Sequence, residues 1–156
     1  MHKLPYAEDV NYWMTGKSSP DAWTERSKKE IEKVGGRVTG EAYGSDGEGR
    51  SAFMLSFTLE GEAFKIVWPV LPTRRGNDRA ARVQAATMMY HDIKARCMSA
   101  LVLGKRAAFF TFLLLSDGRT ANDVATPDLA YYLPELFGPA RPQLTSGDVI
   151  EGEMAF

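Results

Sequence analysis

The sequence predicts an α+β fold, an antiparallel sheet of three to four strands packed against a long helix, in the order α-β-β-β-α-β-α. Three observations predict it. Phe53, Leu55, Phe57 and Leu59 alternate on one segment and Phe64, Ile66, Trp68 and Val70 on the next, with Glu60-Gly61 between them. A helical pattern runs from Asp78 to Leu103 and stops at Gly104. Ser18-Ser19-Pro20-Asp21 is a helix start placed ahead of the strands.

The 156 residues fit one domain, assigned to 1–138, with 139–156 read as an acidic, flexible tail rich in Pro, Gly, Ser and Thr. An apolar fraction of 44% and a charged fraction of 25% are ordinary globular values, and 11% aromatic residues argue against general disorder. The net charge of −1 says nothing by itself about partners. A single cysteine, Cys97, excludes an internal disulfide framework and a multi-cysteine zinc site, and it suits a reducing compartment. The apolar run Ala107 to Leu115 is far short of the roughly 20 residues that cross a bilayer. The N-terminus has no apolar stretch resembling a signal peptide, so the expected location is the cytoplasm.

Tyr6, Val10, Tyr12, Trp13 and Met14 are too apolar for a free end and are expected to lie against the body. In the first helix Trp23, Ser27, Ile31 and Val34 form the inward stripe, and Gly35-Gly36 ends it. Val38 to Tyr43 reads as a strand, followed by a polar turn from Gly44 to Gly49. A two-residue turn at Glu60-Gly61 then sets Leu59 opposite Glu62, Phe57 opposite Phe64, Leu55 opposite Ile66 and Phe53 opposite Trp68. A slip of one residue would turn the apolar set to the other face, so turn and pattern specify one register. The reverse face, with Ala52, Met54, Ser56 and Thr58 against Ala63, Lys65, Val67 and Pro69, is mixed and read as exposed.

Pro69 and Pro72 stop the pairing, and Thr73 to Asn77 forms a basic loop. The long helix spans roughly 39 Å at 1.5 Å per residue. Val83, Ala86, Tyr90, Ile93, Cys97 and Leu101 are its expected core stripe. Ala81, Ala85, Met88, Asp92, Ala95 and Ser99 make a small face suited to another helix or another subunit. Phe109 to Leu115 reads as a fourth strand, and Thr126-Pro127-Asp128 starts a short last helix carrying Leu129, Leu133 and Leu136, stopped at Gly138.

The inventory for catalysis is thin. His2 lies near a terminus, and His91 and Asp92 are adjacent on a helix, where neighbours point about 100° apart. Cys97 lies on the apolar stripe, where a thiol is inert. The stretch Gly44-Ser-Asp-Gly-Glu-Gly49 is acidic and opens no helix, unlike a phosphate-binding loop. The element order resembles that of PD-(D/E)XK nucleases, but Glu62-Ala-Phe-Lys65 is one residue too long for their acid-any-lysine triplet. Ser51 to Leu59 has no acid at all. The expectation is therefore a non-enzymatic protein with no catalytic residues, no metal site and no cofactor.

Local charge is more informative than net charge. Between Pro72 and Arg106 the basic residues are Arg74, Arg75, Arg79, Arg82, Lys94, Arg96, Lys105 and Arg106, against only Asp78 and Asp92. Arg74, Arg75, Arg79 and Arg82 gather where a loop enters a helix, and guanidinium groups bind phosphate oxygens in bidentate fashion. These four are the expected phosphate contacts, with Lys105 and Arg106 extending the path and Trp68 or Phe110 offering a stacking face.

From Ser19 to Leu103 the order of helix, three strands and long helix resembles the core of Rad52-like single-strand annealing proteins, which assemble into rings or arcs with a basic groove. The alanine-rich start Arg79-Ala-Ala-Arg-Val-Gln-Ala-Ala86 also resembles the last helix of double-stranded RNA-binding domains, though Asn77-Asp78 stands where that family has a lysine pair. Through Phe64-Lys-Ile-Val-Trp-Pro-Val-Leu-Pro72 and Leu115-Ser-Asp-Gly-Arg-Thr120 the chain resembles small uncharacterised proteins encoded by phages and prophages. The end Asp148-Val-Ile-Glu-Gly-Glu-Met-Ala-Phe156 resembles the partner-recruiting tail of bacterial single-stranded DNA-binding proteins, without its dense aspartates or final proline. That likeness implies a partner-binding role for Asp148, Glu151, Glu153 and Phe156. Together these resemblances imply a homo-oligomeric protein of phage DNA metabolism that binds or anneals single-stranded nucleic acid, DNA favoured. The alternative is a protein-interaction or host-takeover factor that does not touch nucleic acid.

Overall fold

A computed structural model of the chain describes residues 3–134 and Phe137. His2, Leu136, Gly138 and the acidic tail with Asp148, Glu151, Glu153 and Phe156 lie outside the described residues. The fold is α+β. Strands β1 (Arg37–Ser45), β2 (Ser51–Leu59) and β3 (Glu62–Pro69) form one antiparallel sheet in that order, and α1 (Pro20–Lys33) and α2 (Asp78–Leu103) pack together on it.

Local chemistry accounts for the helix start. Ser19 Oγ accepts a hydrogen bond from the Ala22 N–H at 3.2 Å, and Pro20 takes the first helical position. Gly36 closes the exit from α1 because a side chain there has no room: a Cβ would stand 2.5 Å from Ile31 Cγ2. Ser27 and Ile31 are fully buried, as the stripe requires.

Between β2 and β3 the register is the one the alternation specifies, with Phe57 opposite Phe64, Leu55 opposite Ile66 and Phe53 opposite Trp68. Glu60 and Gly61 both have positive φ, 49° and 81°, the signature of a type I′ turn. Glutamate is a poor choice for that backbone, whereas asparagine adopts it readily. Glu60→Asn is therefore expected to raise stability by about 0.5 kcal/mol. Urea unfolding checks this, and an unchanged or lower midpoint would count against a strained turn.

The core lies between the sheet and the two long helices. Phe57 stacks on Phe64 with ring centroids 5.5 Å apart and meets the edge of Phe109 at 5.3 Å. The reverse face of the sheet is covered at one end, where Ala52, Leu133 and Phe137 form a second cluster with Met54, Val67 and Leu129, while Ala63 near the hairpin turn is exposed. Lys65 donates from that face to the Phe137 carbonyl at 3.0 Å.

Along α2 the expected stripe holds for Ala86, Ile93 and Cys97, while Val83 and Tyr90 are half-buried and Leu101 is 76% exposed. Ala81 and Ala85 of the small face are buried. Ala81 clusters with Ala7 and Leu71, so the N-terminal segment approaches this end of the small face. Gln84, fully buried, holds this segment in place. Its Nε2 donates to the carbonyls of Ala7, Val10 and Asn11 at 2.8, 3.1 and 3.0 Å. The Ala7 N–H donates to the Pro72 carbonyl at 2.8 Å, and the Tyr12 ring stacks on His91 at 4.7 Å.

Two expected elements are replaced. The segment Phe109 to Leu115 is not a fourth strand: α3 (Lys105–Phe109) runs into a 3₁₀ turn over Phe110–Phe112, and only isolated bridges join Phe64 to Leu113 and Leu114 to Thr120. Phe109, Phe112 and Leu113 are buried while Phe110 and Thr111 are exposed, a helical spacing that a continuous apolar run conceals. The expected last helix is a 3₁₀ segment over Pro127–Tyr132 without a side-chain cap. The capping box sits one element earlier, where Thr120 and Asp123 exchange hydrogen bonds at the start of α4 (Ala121–Ala125). Among the described residues no helix is long and apolar enough to cross a membrane.

Candidate nucleic-acid interface

The loop before α2 is shaped by two side-chain oxygens. Thr73 Oγ1 accepts the Gly76 N–H at 2.9 Å, and Asn77 Oδ1 caps α2 by accepting the Ala80 N–H at 3.2 Å. This turn leads from Arg74 and Arg75 into the first turns of α2, which carry Arg79 and Arg82; Arg75 lies by Glu8 and Trp13, Arg79 by Met14 and Lys17, and Arg82 by Tyr43.

The four arginines differ in what they meet. Arg74 is tied to the N-terminal segment: its guanidinium donates twice to Asp9 at 2.8 and 2.5 Å, and its backbone N–H donates to Glu8 Oε2 at 2.9 Å. It also lies 4.5 Å from the centre of the Tyr6 ring. The hydrogen bond from Arg74, aided by its charge, holds the Asp9 carboxyl below its ordinary range despite some desolvation. Both partners are half-exposed, so the pair stays within reach of solvent and of competing anions. Among the described residues, no carboxylate lies within ion-pairing distance of Arg75, Arg79 or Arg82. Arg75 and Arg79 are exposed, and Arg82 is half-buried beside Tyr43. Burial pushes the Tyr43 hydroxyl up, but Ser45, Ser51 and the Arg82 charge together hold it below the ordinary tyrosine value.

Lys105 and Arg106 do not join this group. They follow the opposite end of α2, roughly 39 Å away along its axis. Arg106 pairs with Glu62 at 3.1 Å. Trp68 packs against the main core, whereas Phe110 is 51% exposed.

The candidates weighed for chemistry are absorbed by packing. His91 stacks on Tyr12, and Asp92 accepts from Arg96 Nε at 2.8 Å, so the two do not pair with each other. Burial, reinforced by the Glu30 charge, pushes the Cys97 thiol up to about 11, and its Sγ meets the Glu30 carbonyl at 3.5 Å. Among the described residues, no three His, Cys, Asp or Glu side chains gather in a group able to hold a metal ion.

A cleft of roughly 550 Å³ opens beside Arg82, between the β1–β2 connection and the start of α2. Tyr6, Tyr43 and Tyr132 line it with Lys3, Arg50 and Arg82. Sequence reasoning missed it because its walls come from five separated segments and no local motif marks their meeting. In the connection, Asp46 organises the turn by accepting from the Glu48 and Arg50 N–H groups and from Arg50 Nε. Comparison with protein-family models, with curated proteins and with solved structures found no match.

Proposed function

We propose that the chain is a non-enzymatic nucleic-acid-binding protein, single-stranded DNA being the favoured ligand. In this reading it acts in the cytoplasm, in phage DNA metabolism, as an assembly of identical subunits that binds or anneals strands. The observation that carries the reading is the trio Arg75, Arg79 and Arg82 at the entry to α2, none with a carboxylate within ion-pairing distance among the described residues. Buried or structural arginines find acids within their own chain, as Arg74 and Arg96 do here. Three that do not are available for phosphate oxygens.

Fluorescence anisotropy of labelled single-stranded and duplex DNA and RNA against salt tests this. Each phosphate contact contributes about 0.7 to the slope of log K against log salt on a single strand. An Arg75→Glu/Arg79→Glu variant is expected to lower the slope by about 1.4 and to weaken binding at least 10-fold at low salt. Absence of binding by the unaltered protein at low salt would refute the reading, and equal binding by the variant would acquit these two arginines.

One observation favours the second reading, a protein-interaction or host-takeover factor. Met98, Leu101, Val102 and Leu103 are each more than 60% exposed at the end of α2, and an apolar surface of that kind is typical of protein contacts.

A further inference from the structure

We propose that the cleft beside Arg82 receives one unstacked nucleotide of the bound strand, its base against Tyr43 and Tyr6 and its phosphate on Arg82. The inference rests on the nucleic-acid reading and names the part of the ligand that this second site takes. The cleft's volume, roughly 550 Å³, falls within the range of about 300–1,000 Å³ typical of small-molecule sites.

Its chemistry is layered as a nucleotide requires. Val70 and Leu71 supply an apolar floor. Two tyrosine rings also line it, each fixed by a neighbour: Tyr43 lies against Phe53 with centroids 4.9 Å apart, and Tyr6 meets the Arg74 guanidinium. Both rings nevertheless remain more than 40% exposed. A ring held from one side and open on another is a stacking platform that needs no rearrangement to accept a base. Ser45, Ser51 and the Tyr43 hydroxyl add polar atoms for a base edge.

The charges are graded across the same cleft. Arg50 at its wall is engaged by Asp46 and Glu48 and by the Tyr131 carbonyl, so it shapes the site. Arg82 faces the cleft from α2 beside the Tyr43 hydroxyl; Asp78, one turn earlier, lines the same cleft but lies beyond ion-pairing distance, as do all other carboxylates among the described residues. Arg82 is therefore the anion-binding group. A duplex cannot use such a site without breaking a base pair, whereas a single strand turns a base out at little cost. The cleft thus supplies a preference for single strands that the surface arginines, which read only phosphates, cannot supply.

The test compares a labelled thymidine oligonucleotide with an abasic strand of equal length, which keeps the phosphates and lacks the bases, on the full chain at fixed salt. Base stacking on an aromatic platform predicts at least about 10-fold tighter binding of the thymidine strand. Tyr43→Ala is expected to bring the two strands within about twofold of each other, while Tyr43→Phe keeps the difference and so separates loss of the ring from loss of fold. Arg75→Glu/Arg79→Glu is expected to weaken both strands alike. Equal binding of the two strands by the unaltered protein would overturn the cleft assignment and leave phosphate binding standing. Failure of both strands to bind would overturn the nucleic-acid reading and the cleft assignment together.

Discussion

Replacing Phe57 with alanine is expected to destabilise the protein by about 3–5 kcal/mol, the range for emptying a buried aromatic site. The ring is fully buried and is the central member of a trio, stacked on Phe64 across the β2–β3 pair and met edge-on by Phe109 from α3. Such pairs contribute roughly 0.5–1.5 kcal/mol beyond the area they bury. Removal therefore loses the transfer of the ring, opens a cavity and frees Phe109, the residue that anchors the chain after α2. Against a total stability of about 5–15 kcal/mol the loss is severe. Guanidinium unfolding should show the midpoint falling with an unchanged slope. A loss under about 1 kcal/mol would mean that Phe64 and Phe109 close the gap themselves.

Gln84→Leu is expected to lower stability by about 1–3 kcal/mol, by a different mechanism and with a local signature. One amide with two protons serves three carbonyls, so one proton is shared, and leucine of similar size serves none. The Ala7 carbonyl then keeps only the Val10 N–H at 3.1 Å, and the Val10 and Asn11 carbonyls must turn to water. Limited proteolysis should open new cleavage sites between residues 4 and 17 before the sheet unfolds. Protection of that segment equal to the unaltered protein would show that the Arg74–Asp9 pair and the Tyr12–His91 stack suffice to hold it. The variant also tests the cleft, since Tyr6 belongs to the same segment.

The parts of the fold that were legible in the sequence are those where two local signals agree. The hairpin is the clearest case, because a two-residue turn and two alternating runs admit one register. The bounds of α2 follow from Asn77 and Gly104, a capping side chain and a positive-φ exit. Where a single signal stood alone it misled. The run from Phe109 to Leu115 has strand-like composition, but its burial follows a helical period set by docking against Phe57 and Phe64. The small face of α2 correctly announced a close neighbour and could not say which. At Ala81 the neighbour is an irregular segment whose hydrogen bonds to α2 come from one glutamine, and glutamine in a helix carries no positional signal. For the site, composition located the arginine cluster and could not tell Arg74 from Arg75. That distinction depends on Asp9, more than sixty residues away in the chain.

The bond from Gln84 to the Ala7 carbonyl spans 77 positions, and this sets an order of events during synthesis. The segment around Ala7 leaves the ribosome ahead of the groups that hold it, Pro72, Arg74, Gln84 and His91 through polar and ring contacts and Leu71, Ala81 and Met88 through apolar ones. At about 5–20 residues per second it waits roughly 4–15 s for its anchors. Through that interval Tyr6, Tyr12 and Trp13 stay exposed on the nascent chain, open to chaperones, while the β2–β3 hairpin can already close. A segment made early is thus folded late.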